Sequence, residues 1–421
     1  VSYLLNSQNS KNQIYKEDSM AGVFNGRKNI EPDGTGAQWQ PNGNVVIDLG
    51  RYRNKRALAM ILTITGQIVA KVTTAPASDT AYTINYADDH IYNLFSNVQI
   101  KLNGNTEVKN VTSLAIFRFI NTLQNRGKFE YMEIPESVSI KAGQTQGVAE
   151  FKLVITIPFA MFDQIGATQT NICTWLFNSF QLTYKNEPQE VCFKSMLARA
   201  EGASDDNEGA ATLSLANTYV NCSSKYWITS EIQANRQEQF LSQMGNLYVQ
   251  KVISKGFSGG GKGQYIELTP NLWIKDFIIV FRNSQTNERL DGMIDRIKIA
   301  DGNNILVDTT PEILKNEMLQ KFSLSQMLFG KELSDSPDGK GVFYGVYHIA
   351  SNYFGDMNNS LVFMSFNQMR LTIDFNNKFA SVLNGATEEI LVEVYQNYED
   401  LPQLLQQVAL AEANRTAQAQ G

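Results

Sequence analysis

The chain has 421 residues, of which 43% are apolar and 19% charged, and a formal net charge of −6. That length exceeds what one hydrophobic core usually supports and points to two units of about 100–200 residues each. The acidic balance supplies no general positive field for a phosphate backbone, which argues against nucleic acid as the partner of the protein body.

With 23 Phe, 17 Tyr and 29 Gly, the composition suits pleated, half-buried surfaces and many turns, so the chain is expected to be folded and β-rich. Cys173, Cys192 and Cys222 are an odd set without the close pairs that zinc sites use, and they are read as thiols in a reducing compartment. The short apolar run Val1-Ser-Tyr-Leu-Leu is too small for a signal segment, and no window approaches ~20 apolar residues, so neither secretion by the usual route nor a membrane-spanning helix is expected.

Residues 1–42 are polar and turn-rich, with Asn25-Gly26, Asp33-Gly34 and Asn42-Gly43, and are expected to form an N-terminal arm carrying Lys11, Lys16, Arg27 and Lys28. The first unit, 43–234, opens with Val45–Leu49 and a run from Ala57 to Val72 in which Met60, Leu62, Ile64 and Ile68 share parity, as one face of a strand requires. A hairpin about Asn103-Gly104-Asn105 follows. Then comes a helix predicted over Thr112–Gln124, with Leu114, Phe117, Ile120 and Leu123 at three-residue steps. Strands are expected at 151–157, 180–184 and 218–232, and Glu201–Gly209 is expected to be a surface loop.

Residues 235–245 lack alternation and are the expected linker. The second unit, 246–400, runs through strands at 248–253, 264–268, 273–281, 341–347, 369–375 and 390–395. It also repeats the first. The hairpin Val98–Val108 and its following helix return as Ile297–Leu306, turning at Asp301-Gly302-Asn303, followed by Thr310–Gln320. Asn178-Ser-Phe-Gln-Leu182-Thr-Tyr184 returns as Asn367-Gln-Met-Arg-Leu371-Thr-Ile373. Two blocks recurring in one order at nearly one spacing imply a strand-rich unit built twice.

One helix per unit is too few for a sheet wound with crossovers. The expected fold is therefore all-β: two tandem eight-stranded antiparallel jelly rolls, each with a helical insertion. In residues 401–421, Leu401, Leu404, Leu405 and Val408 share one helical face, with Asp400 able to cap and Pro402 in the first turn, predicting a short C-terminal amphipathic helix and a polar tail.

Candidate chemistry is sparse. Gly256-Phe-Ser258-Gly-Gly260 fits G-x-S-x-G, but glycines and a β-like run follow where the nucleophile elbow needs a helix, and His348 is the only later histidine. Gly256–Lys262 nearly matches a phosphate loop, yet Gly263 stands where the magnesium hydroxyl belongs. Asp205, Asp206 and Glu208 could meet calcium but lack the alternating ligands and distal Glu of a helix-loop-helix site. His90 beside Asp88-Asp89 reads as a surface group. No catalytic, metal or cofactor site is expected, and the chain is read as a non-enzyme.

Ile134-Pro-Glu-Ser-Val-Ser-Ile-Lys-Ala-Gly143, running into Glu150–Pro158, and Glu393-Val-Tyr395-Gln-Asn-Tyr398-Glu-Asp-Leu401-Pro402 resemble stretches of the tectivirus coat. In that family the second stretch closes the first jelly roll, whereas here it closes the second. The chain thus resembles the double jelly-roll major capsid proteins of tailless icosahedral lipid-containing viruses, the lineage that includes the adenovirus hexon. The resemblance implies a structural protein forming homotrimeric, pseudo-hexagonal capsomers of a virion shell over an internal membrane. It further implies partners among copies of itself and other virion proteins, assembly in the host cytoplasm, and no cofactor. The arm and the C-terminal helix, with the Lys, Arg and Leu residues named above, are the expected parts to reach neighbours or lipid. A carbohydrate-binding jelly-roll pair is the alternative and needs aromatics and carboxylates clustered on one exposed face.

Overall fold

The computed structural model describes residues 27–32, 37–48, 55–77, 81–85, 91–102, 106–114, 116, 132–135, 137–158, 179–187, 198–201, 210–228, 248–270, 272–285, 288–322, 343–350, 363–364, 368–383 and 387–399. The first half holds β1 (Arg27–Pro32), β2 (Ala37–Gln38), β3 (Asn44–Asp48), β4 (Lys55–Val72), β5 (Tyr82–Asn85), β6 (Phe95–Leu102) and β7 (Thr106–Ser113). It continues with β8 (Met132–Glu133), β9 (Ser137–Ile140), β10 (Gln146–Pro158), β11 (Phe180–Asn186), β12 (Ala198–Glu201) and β13 (Ala210–Ile228). The second half holds β14 (Tyr248–Phe257), β15 (Gln264–Glu267), β16 (Trp273–Asn283), β17 (Ile294–Asp301), β18 (Asn304–Thr309) and α1 (Pro311–Phe322). It ends with β19 (Val346–Ala350), β20 (Phe363–Met364), β21 (Met369–Phe375) and β22 (Ile390–Glu399).

Each half is a sandwich of two antiparallel sheets with one strand order. In the second, β14-β22-β16-β19 faces β15-β21-β17-β18; in the first, β1-β13-β4-β10 faces β3-β11-β6-β7. Pairing the first, last, third and sixth main strands of a unit against its second, seventh, fourth and fifth is jelly-roll connectivity. The first sandwich adds β2, β5, β8, β9 and β12 around its larger sheet, and the second adds β20.

The cores follow strand parity. Met60, Leu62, Ile64 and Ile68 of β4 are fully buried, with Leu153 and Ile155 of β10 beside them and Ile100 and Leu182 across the sandwich. Phe277, Ile279 and Phe281 of β16 play the same part in the second core against Ile297, Ile299, Leu371 and Ile373.

The repeated hairpin is observed in both halves as β6–β7 and β17–β18. Both copies carry the same irregularity: the register slips between Ile100 and Lys101, leaving Val108 extra in β7, and between Ile299 and Ala300, leaving Leu306 extra in β18. Each extra residue stands at the same distance beyond the turn glycine, Gly104 or Gly302.

Several elements differ from expectation. The stretch expected to be an arm contains β1 and β2, both paired to β13. Thr112 and Ser113 belong to β7 rather than to the predicted helix, Ile116 is helical, and 117–124 lie outside the described residues. The strand expected from Gly341 begins at Val346, because Gly345 takes a φ of 67° and ends a turn there. The second helix is observed as α1, beginning one residue later and ending two residues later than expected.

Candidate assembly site between the sandwiches

A sheet in a sandwich has an inner and an outer face, and the outer face of β14-β22-β16-β19 is covered. Ile278, Val280, Val346 and Tyr395, all turned away from the second core, are buried in one continuous cluster with the core of the first sandwich. Val252 of β14 packs on the same cluster, and β7 runs alongside β14. The helix α1 wedges between the two halves. Leu314 enters the second core, while Met318, one turn on, enters the shared cluster. Asp291 fixes this helix by accepting from Lys315 Nζ at 2.6 Å and from the Tyr347 hydroxyl at 2.5 Å.

At the centre of the contact lies a buried polar group. Arg282 Nη2 on β16 donates to Glu393 Oε2 on β22 at 2.8 Å, with side chains 7% and 3% exposed. Thr112 of β7, from the first sandwich, donates to Glu393 Oε1 at 2.8 Å and meets the Tyr395 hydroxyl at 2.7 Å. The Tyr395 hydroxyl donates to Glu393 Oε2 at 3.1 Å. Burial, then the Glu393 charge, raises the Tyr395 phenol above its ordinary range, so it stays a neutral donor. Such a network adds little net stability over apolar packing but penalises any other alignment, since a shifted Thr112 would strand a charged pair inside. Its chemistry is positional.

Sequence reasoning missed these residues. The available signal was a lone charge inside an apolar strand: Arg282 after Phe277–Phe281, and Glu393 within Ile390–Tyr395. Such charges are retained where a partner awaits.

The other sequence candidates are not drawn together. Ser258 sits in an exposed turn between β14 and β15, followed by a strand, and Gly263 N–H donates to Asp374 Oδ1 at 2.7 Å, so the loop is neither a nucleophile elbow nor a phosphate cradle. Arg27 and Lys28 fall in β1, opposite Ile228 and Trp227. Lys11, Lys16, His90, Asp205, Asp206, Glu208, Leu401, Leu404, Leu405 and Val408 lie outside the described residues, as do Cys173 and Cys192. Cys222 is a buried thiol. Among the described residues, no three His, Cys, Asp or Glu side chains could hold a metal, and no helix is long and apolar enough to cross a membrane. The well-exposed aromatics among them, Tyr219 and Tyr265, lie on different sandwiches and form no cluster of the kind a sugar-binding face needs.

The two sandwiches and their order define a double jelly roll. No protein-family model and no curated protein matches the chain. Solved structures do. The crystal structure of the STIV MCP is similar at 13% identity and a TM-score of 0.55, over 89% of this chain and 97% of that one. The atomic structure of Sulfolobus Turreted Icosahedral Virus is similar at 12% identity and a TM-score of 0.54, over 92% and 98%. The Faustovirus major capsid protein is similar at 8% identity and a TM-score of 0.51, over 89% and 90%. At these identities the likeness fixes the fold.

Proposed function

We propose that the chain is a structural coat protein, the subunit of a viral shell, and that it has no catalytic role. The observation that carries this reading is the contact between the halves: the hairpin side of one sandwich seats on the outer sheet face of the next. One chain uses each surface once. The hairpin side of the second sandwich, with Ile305 56% and Ile313 50% exposed, and the outer face of the first, with Tyr219 44% exposed, are left over. A head-to-tail contact of this kind either closes into a ring or runs on as a fibre. Closure after three chains gives six sandwiches in a pseudo-hexagonal block suited to tiling an icosahedral shell.

That similar folds occur in viral capsid proteins supports the same reading. In this proposal the protein resides in the virion, having assembled in the host cytoplasm. Its partners are copies of itself, other virion proteins and an internal membrane. Residues 1–26 and 401–421, with Lys11, Lys16, Leu401, Leu404, Leu405 and Val408, reach those neighbours, and 235–245 join the two sandwiches. Light scattering of the purified chain tests it: a mass of three chains is expected, and a strict monomer at all concentrations would sink the proposal.

A further inference from the structure

The covered sheet face carries a second polar group, at the end away from Arg282. Asp276 of β16 and His348 of β19, the strand paired beside it, are both fully buried. Each lies two residues from a side chain of the shared cluster, Ile278 in one strand and Val346 in the other, and so on the face that meets the first sandwich. Asn397, directly opposite Asp276 on β22, donates its amide to Asp276 Oδ1. His348 Nε2 lies 3.4 Å from Asp276 Oδ2. That is ion-pair range, though longer than the ~2.7–3.2 Å of a good N–H···O bond, and Oδ2 accepts no hydrogen bond among the described residues.

The charge count decides what such a pair can be. With no proton it holds a bare carboxylate inside the molecule, and with two it holds a bare imidazolium; either leaves a net charge where water does not reach. One proton makes the pair neutral as a whole, and the imidazole is the stronger base of the two side-chain types. The Asn397 amide offsets part of a lone carboxylate's cost but brings no charge. The other ionisable side chains described on the surrounding elements are engaged or turned outward. Arg282 of β16 pairs with Glu393 of β22, which also accepts from the Tyr395 phenol, and Lys315 of α1 pairs with Asp291. On β14 Lys251 and Lys255 are exposed, and on α1 Glu312 is exposed and Glu317 half-buried.

We propose that the Asp276–His348 pair keeps one proton in the folded protein, on the imidazole, and acts as a proton latch beneath the contact between the sandwiches. Just below the ordinary imidazole range, about 6.5, the unfolded chain also holds that proton and the stabilising effect is complete. As pH rises above that range, the unfolded chain gives the proton up while the folded pair retains it, so stability falls with pH. This window lies well below the one in which the buried Tyr395 phenol titrates. The latch rests on the fold and is independent of the coat reading.

The test is urea unfolding of the full-length chain between about pH 6 and 9, beside Asp276→Asn and His348→Gln. In the wild type the folding equilibrium constant is expected to fall by up to about tenfold per pH unit above the imidazole range. His348→Gln should remove that dependence. Asp276→Asn should reverse it, because an imidazole buried without its carboxylate sheds its proton more readily than one in the unfolded chain; a pair that only fills space would not change the sign. A wild-type slope that is flat or rising, or one that persists unchanged in His348→Gln, would overturn the proposal. Should the variants fail to fold, the imidazole resonances of the wild type decide, since the chain has two histidines and His90→Gln tells them apart. An imidazolium signal for His348 persisting to about pH 8 is expected, and a neutral imidazole at about pH 7 refutes the latch.

Discussion

The strands β4 and β16 hold the same place in the two jelly rolls, yet their sequences differ in a way that separates an open face from a closed one. In β4 the inward Met60, Leu62 and Ile64 alternate with Ile61, Thr63 and Thr65, which remain partly exposed. In β16 the inward Phe277, Ile279 and Phe281 alternate with Ile278 and Val280, which are just as buried, against the first sandwich. Alternation therefore marks a sheet with one wet face, and its loss marks a sheet covered on both. Threonines on the β4 face suit a surface left in water in the single chain.

The largest break in this comparison should come from Glu393→Ala, which leaves Arg282 buried without its carboxylate. A loss of about 3–5 kcal/mol is expected in urea unfolding, and a smaller loss would show that the contact admits water. Next, Ile278→Ala should cost about 2–5 kcal/mol as a cavity, whereas Thr63→Ala on the open face should stay within about 0.5 kcal/mol. Similar costs at the two sites would contradict the reading of the two faces.

Thr112→Val removes hydroxyl contacts to Glu393 and Tyr395, and about 1–2 kcal/mol is expected. Thr310, its counterpart beyond the second hairpin, tests the proposed ring. Thr310→Val should cost the single chain no more than the loss of a helix N-cap, about 0.5–2 kcal/mol, while weakening the proposed trimer as read by light scattering.

The phenols sharpen the comparison by pH. Burial and then Cys222 raise Tyr184 in the first core, and burial and then Glu393 raise Tyr395 in the contact. A folded-state pKa above the unfolded value gives stability that is complete below the ordinary 10.0 and lost as pH rises beyond it. Thermal unfolding should therefore show a falling limb above that pH, flattened by Tyr184→Phe.

The smallest effect belongs to Asp308, whose hydrogen bond from Arg296 holds it below the usual carboxylate range. Its contribution is present at neutral pH and lost as pH falls through the lowered folded value. Being exposed, Asp308→Asn should only slightly flatten the acid limb of the second sandwich.

Much of the fold was legible because the chain repeats it and because parity survives in long strands such as β4. What was not legible depends on backbone pairing or distant partners. The strand β1 reads as Arg-Lys-Asn-Ile-Glu-Pro, with no alternating apolar pattern, and only its backbone pairing with β13 reveals it. Short strands such as β5 and β12, four residues each, are too brief to show a period among the turns around them. Of the assembly site, the covered face could be suspected from the unbroken run Trp273–Phe281. The pairing of Thr112 with Glu393 could not, because only the folded chain brings those positions together. The same holds for His348, which the sequence offered as a missing base and the fold sets beside Asp276.

The bulge shared by both hairpins has a further consequence. Each strand carries one residue too many at one place, so removing Val108 or Leu306 would turn over every side chain that follows it in its strand. In the first hairpin that would swing Thr112 away from Glu393, and in the second it would rotate the approach to α1. The defect is thus locked in by what lies downstream, in both halves at the same step beyond the turn.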